Sequence, residues 1–192
     1  MKKHLLTAAL VLCLSFGANA FAQKHTFTLD PSTSSITFSL SGTEHEVEGT
    51  FHVTSGEIHF DLSSHDLSGS IVVSAASGES GNDSRDKKMH NDVLDVAHFA
   101  NVTFDPQSYQ GTIATSGDST IQVSGLFTLH GTPHTITVPM QLHMEAGKIT
   151  AKGSFIVPYV KWGLKNPSIF ILKVAKEVKI DMNLAGTDTI AK

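Results

Sequence analysis

Cysteine is almost missing from this 192-residue chain: Cys13 is the only one. It falls in an N-terminal segment that reads as removable. The mature chain is therefore expected to have no disulfide, thiolate metal site or cysteine nucleophile. Arginine is equally scarce, with Arg85 alone. Also missing are a Gly-x-Ser-x-Gly elbow, a His-Glu-x-x-His helix and a glycine loop that could cradle phosphate before a helix. With no such marker, the chain reads as a non-enzyme and implies no cofactor. No internal repeat, low-complexity tract or linker divides it. Without Lys2 and Lys3, it carries 12 basic residues against 18 acidic ones, a balance that argues against nucleic acid as a partner. The charge is uneven, with Glu44, Glu46, Glu48 and Glu57 in the first third and Lys148, Lys152, Lys161, Lys165, Lys173, Lys176 and Lys179 in the last.

The one long apolar run is at the start. Lys2, Lys3 and His4 precede an apolar stretch from Leu5 to Phe16, and small-x-small sites follow at Ala18-Asn19-Ala20 and Ala20-Phe21-Ala22. Residues 1–22 read as a cleaved signal peptide, too short to span a bilayer comfortably. Leu12 occupies the position before Cys13 where a lipoprotein signal needs a small residue. The expectation is free export, to the periplasm or outside the cell. Residues 23–192 then form one domain, long enough for a sizeable core without covalent staples.

What the chain has in abundance is alternation. Apolar residues recur at every second position in Ile36, Phe38, Leu40; in Val47, Phe51, Val53; in Ile58, Phe60, Leu62; and in Ile121, Val123, Phe127, Leu129. The longest run is Ile136, Val138, Met140, Leu142, Met144, and Val178, Ile180, Met182, Leu184 close the series. Such patterns describe half-buried antiparallel strands. Short turn signals between them, among them Gly131-Thr132-Pro133 and Ala146-Gly147, predict a meander. With too few helices to cover an open sheet, the strands must close into a barrel or stack as a sandwich. Gly49, Gly125, Ala151 and Gly153 on the apolar parity favour a barrel with space inside. The fold class is all-β: an antiparallel barrel of roughly eight strands.

One stretch, Ser80 to Phe104, breaks the pattern. Met89, Val93 and Ala97 recur every fourth residue with Leu94 beside them, predicting a short helical insert near residues 84–97. Asp83 or Ser84 is the expected cap, and Asp86 suits the N-terminal dipole.

This stretch carries a family resemblance. Asn82-Asp83-Ser84-Arg85-Asp86, then Asp92 to Val96, then His98-Phe99-Ala100-Asn101-Val102-Thr103-Phe104 resemble the hallmark of YceI-like proteins. Gly125-Leu126-Phe127-Thr128-Leu129-His130-Gly131-Thr132 is similar to the family's strand and His-Gly turn. The opening around Asp30 and Ser35 to Phe38, Val47 to Phe51, and the ending Trp162-Gly163-Leu164 before Val178-Lys179-Ile180 match as well. Thr132-Pro133-His134 departs from the usual residues after that turn. The resemblance implies an extended, lipocalin-like antiparallel barrel that binds a polyisoprenoid, such as a quinone or prenyl phosphate, or another long-chain lipid in an internal tunnel.

On that reading Phe38, Phe51, Phe60, Phe104, Phe127, Val138, Met140, Phe155 and Ile180 are expected to line one continuous tunnel. Arg85 and His130 are the candidate head-group contacts, since a guanidinium meets phosphate through two N–H groups at once. Arg85 is also expected to pair with Asp83, Asp86 or Asp95 and so pin the insert. Tyr159, Trp162 and Phe170, flanked by lysines, read as a loop that caps the core with solvated lysines, and are also candidates for transient membrane-surface contact. A homodimer is left open. Two other readings fit the chain: a secreted, stress-associated structural barrel filled by its own side chains, and a histidine-dependent metal binder. Against the latter, His52 and His59 lie on the solvent parity, and His130 and His134 supply at most two ligands of the three or four needed.

Overall fold

The computed structural model describes residues 24–43, 46–169 and 173–190, so the predicted signal peptide lies outside the described residues, as do His45 and Phe170. The strands are β1 (Lys24–Leu29), β2 (Ser35–Ser41), β3 (Glu46–Phe51), β4 (Val53–Asp61), β5 (Leu67–Ser74), β6 (Asn101–Gly111), β7 (Gly117–Leu129), β8 (Thr132–Glu145), β9 (Lys148–Val157) and β10 (Val178–Ile190). All pairings are antiparallel. β4 through β10 follow one another as a meander, and β10 returns to pair with β1. The result is a closed eight-stranded barrel, because β1 with β2 and β3 with β4 act as two long, kinked strands. β10 shows this directly: Gly186 to Ile190 pair with β1, and Lys179 to Asn183 pair with β2.

The kink between β1 and β2 has a local cause. Pro31 has no N–H to give to a ladder, and the Asp30 carboxylate accepts from the Ser32 N–H at 2.9 Å and its hydroxyl at 2.6 Å. Those bonds hold the Asp30 carboxyl below its usual range. Ser34 repairs the ladder across the gap: its hydroxyl accepts from the Ala185 N–H at 3.0 Å and donates to the Asp30 carbonyl at 2.8 Å. Tight turns close the hairpins. His130 and Gly131 both have positive φ (52° and 72°) in the two-residue turn between β7 and β8, the conformation that matches strand twist.

Alternation is carried through with little error. Along β8 the inward residues Val138, Met140 and Met144 are buried while Thr135, Thr137, Pro139 and Gln141 are exposed. The interior nonetheless has two parts. A packed cluster around Phe27, Ile58, Phe60, Tyr109, Ile121, Met140, Met144 and Ile149 fills one end. A smaller cluster, Leu94, Leu129, Val157, Tyr159 and Leu164, occupies the other.

The insert departs from expectation in detail. An α-helix, α1 (Asp83–Lys88), runs into a π-turn at Met89–Val93 and stops there. Its cap is Asn82, whose side-chain oxygen accepts from the Arg85 N–H at 3.0 Å, rather than Asp83 or Ser84. Asp95 at φ 48° ends the helical path before Ala97. The glycines on the apolar parity do not supply empty space either. The Met140 sulfur lies 2.3 Å from where a Gly153 Cβ would stand, and the Phe38 ring 2.4 Å from one on Gly49.

On the outer face, the carboxylate of Asp118 accepts from the His143 ring across β7 and β8 at 2.6 Å. That bond raises the His143 pKa above its ordinary value, Glu145 adding to the effect. A raised pKa means that the pair's contribution to stability is complete below the unfolded value near 6.5 and fades as pH rises through the folded one. NMR titration is expected to place His143 above the ordinary range and to find it lower in Asp118→Asn.

Candidate functional site

The site is the space that the two clusters leave between them. Its walls come from eight strands, β2, β3 and β5 through β10, with the insert and the loop after β9, and its volume is about 490 Å³. Beside it the strand pairing of the barrel wall is interrupted. β4 pairs with β5 only as far as Val53, and beyond that β3 meets the insert through a single bridge, with Thr50 N–H to Glu79 carbonyl at 2.8 Å and the reverse bond at 3.0 Å. The insert fills the gap. Its apolar side presents Met89, Val93 and Leu94 to the cavity, and Ser80, Ser84, Arg85 and Lys88 form a polar edge beside them.

Ser80 organises that edge. Its N–H donates to the Asp86 carboxylate at 2.9 Å, and its hydroxyl donates to the same oxygen. Arg85 donates from Nε to the Ser80 hydroxyl at 2.7 Å and from Nη2 to the Ser80 carbonyl at 2.7 Å. The expected direct pairing of Arg85 with Asp83, Asp86 or Asp95 is therefore corrected: among the described residues no carboxylate lies within ion-pair distance of it. Arg85 reaches Asp86 only through Ser80. Two of its five N–H donors are engaged there, and the others face no partner among the described residues.

The opposite rim is a loop after β9. Pro158 to Gly163 turn back on themselves, with Leu164 N–H to Tyr159 carbonyl at 3.0 Å. Gly163 at φ 95° permits the reversal that brings Leu164 into the cavity wall. Tyr159 is 5% exposed, and its hydroxyl donates to the Ala175 carbonyl at 2.6 Å. Burial pushes the phenol pKa up, which keeps it a donor. Ala175 in turn donates to the Ser41 carbonyl at 2.8 Å, and Thr43 and Lys173 exchange bonds beside it. Pro167, Ile169 and Val174 on this stretch also line the cavity.

Of the nine residues expected to line a tunnel, Phe38, Phe51, Phe104, Phe127, Val138, Phe155 and Ile180 line the cavity. Phe60 and Met140 do not. They sit in the packed end, 7% exposed each, so the interior is no continuous tunnel. Parity located them correctly as inward but could not tell how far along the barrel the filling extends. His130 is also absent from the lining: its left-handed backbone belongs to the turn, and its ring packs 4.2 Å from Phe99. Tyr159 and Trp162, expected at a membrane surface, face inward instead, and the Trp162 ring stacks on His134 at 3.9 Å. Ile169, 54% exposed, is the apolar residue that the rim shows to solvent. Among the described residues no three His, Cys, Asp or Glu side chains converge to hold a metal ion. Ser80, Lys88, Thr103 and Leu164 went unnoticed as lining. Ser80 was at the edge of the anomalous stretch, but an isolated serine carries no signal for its role.

Residue ranges and folds of known proteins agree with this architecture. Residues 27–185 match the YceI-like domain family. The chain is 29% identical over 143 residues to the UPF0312 protein of Vibrio campbellii, spanning 72% of each chain. It is 27% identical over 141 residues to a UPF0312 protein of Vibrio parahaemolyticus, again with 72% of each chain covered. In structure it is similar to Burkholderia cenocepacia BcnA, with a TM-score of 0.68 at 20% identity, covering 83% of this chain and 99% of that one. A polyisoprenoid binding domain from Saccharophagus degradans, implicated in plant cell wall breakdown, superposes with a TM-score of 0.62 at 18% identity, covering 84% of this chain and 98% of that one.

Tyr159→Phe is expected to cost about 1 kcal/mol, the net worth of one buried hydrogen bond, and to lower Tm by ~2–4 °C in a chain of this size. Differential scanning calorimetry checks it. The chain belongs to the YceI-like family.

Proposed function

We propose that this protein is an exported binding protein, not a catalyst, and that it sequesters or carries a lipid whose apolar chain lies in the barrel. The ligand class that fits best is a polyisoprenoid, either a quinone or a prenyl phosphate. The observation that carries the reading is the cavity of about 490 Å³, apolar except for one edge held by Ser80, Ser84, Arg85 and Lys88, with Thr103 in the wall. That volume falls within the ~300–1,000 Å³ typical of small-molecule sites. Membership in the YceI-like family and the polyisoprenoid-binding neighbour support the ligand class. The N-terminal segment supports export, to the periplasm or the medium.

The physics of retention is simple. An apolar chain gains about 0.8 kcal/mol for each CH2 withdrawn from water. The wall needs no charge or metal for this. Polar recognition is confined to the edge, where Arg85 has N–H groups to spare for a phosphate or a carbonyl.

Organic extraction of the purified protein followed by mass spectrometry tests the reading, and a co-purified long-chain lipid is expected. A protein that emerges clean, and that takes up no prenyl chain afterwards, would instead be a structural barrel. Ile136→Trp, at a half-buried position in the cavity wall, is expected to weaken prenyl uptake by about tenfold or more in a folded protein. Arg85→Lys keeps the charge but loses the planar fork. It is expected to weaken a prenyl phosphate more than the matching prenyl alcohol. Equal loss for both would assign Arg85 to the insert's own architecture.

A further inference from the structure

We propose that the cavity is blind at its inner end and buries at most about four isoprene units of its ligand, any further length projecting from the mouth. This deepens the lipid-binding reading and rests on it. Two strands mark where the space stops. On β8, Val138 lines the cavity, but the next inward residue, Met140, belongs to the packed end. On β10 the lining runs from Val178 through Ile180 and Met182 to Leu184 and goes no further. Val138 and Leu184, 0% and 2% exposed, are members of both the lining and the packed cluster. They are the floor, and Met140 and Phe60 lie beneath it.

Length and volume give the same limit independently. Val178 to Leu184 spans roughly 20 Å of strand at ~3.3 Å per residue. An extended chain advances about 3.3–3.6 Å per three bonds. The wall therefore matches about seventeen chain bonds, close to the roughly sixteen in the backbone of four isoprene units. A 150 Å³ apolar cavity holds benzene, with its six carbons. The same density in 490 Å³ corresponds to about twenty carbons, again four units. Met140 packs directly beneath that floor, its sulfur occupying the space beside Gly153 on β9, so truncating it removes support from below Val138 and lengthens the space available to a chain.

The test uses the purified protein freed of lipid and a series of all-trans prenyl alcohols of two, three, four, five and nine isoprene units. Affinity is expected to rise about tenfold or more with each unit up to the fourth, and to change less than about twofold from the fourth to the ninth. In Met140→Ala the plateau is expected to begin at a longer chain. In Leu184→Phe, which raises the floor, it is expected to begin at a shorter one. Circular dichroism identifies which variants are folded, and either variant alone reads the floor. Continued gains from the fourth to the ninth unit would overturn the length limit while leaving lipid binding intact. Folded variants with an unmoved plateau would overturn the assignment of the floor. No binding at any length would overturn the functional reading and this inference together.

Discussion

Closure of the ring at β10 is the constraint on which the rest of the molecule depends. This strand has β9 along one edge and shares its other edge between β1 and β2. Because the edges are used up there, the seam leaves neither β1 nor β2 as a template for aggregation, and the outer edge of β3 is covered by the insert through the bridge between Thr50 and Glu79. The side chains of one parity are also committed to an enclosed volume. The seam is reinforced from within: the ring of His25 donates to the Asp188 carboxylate at 2.8 Å, with His25 only 3% exposed and stacked on Phe60 at 4.8 Å. With no cysteine in the described residues, this polar pair and the ladder around it do the joining that a disulfide does in many exported domains.

An enclosed volume must be filled or left open to a guest, and this barrel does both. The difference between its ends comes from the two kinked strands. Below the kinks, β1 and β4 stay in the ring, and Phe27, Phe60, Tyr109 and Met140 meet at its centre. Above them, β2 and β3 leave the line of β5, and the wall is completed by the insert through the bridge between Thr50 and Glu79. A helix cannot match the spacing of a paired strand, so the interior widens there. The insert thus stands where strand pairing stops, and it completes the wall of the cavity.

Much of this was legible from alternation. Residues such as Phe38, Phe127 and Ile180 point inward because a period of two leaves them no other face once the sheet closes. Arg85 was conspicuous as the only arginine, and it does sit at the cavity's edge. What periodicity cannot carry is position along the barrel axis. Phe60 and Phe104 have the same parity and chemistry, yet one is plug and the other wall. The difference is made by strand register and by the β4 irregularity between Val53 and Ser55, neither of which leaves a mark on composition. Turn chemistry misled in a related way. His130 is a candidate head-group contact by sequence, whereas a residue with positive φ ahead of Gly131 is spent on the hairpin. Tyr159 and Trp162, amphipathic and flanked by lysines, have the composition of a membrane belt, but Tyr159 is buried and Trp162 half-buried against the same cluster, since Gly163 folds their loop inward.

The insert also sets what kind of recognition the cavity can perform. Arg85 is held through two hydrogen bonds to Ser80, and Ser80 is held in turn by Asp86 from the following turn of the same segment. A guanidinium fixed in this way has already lost most of its rotamer freedom before any ligand arrives. The acidic partner lies one residue removed, bonded to Ser80 and not to the guanidinium, so it orders the arginine without occupying the N–H groups that face away from Ser80. An exposed lysine at the same place would have to be immobilised by the ligand itself. Retention by the apolar wall and selection at the edge are thereby separate properties, governed by different residues on different elements. On the proposed lipid-binding reading, the wall sets how much chain is held and the insert sets which end group is accepted.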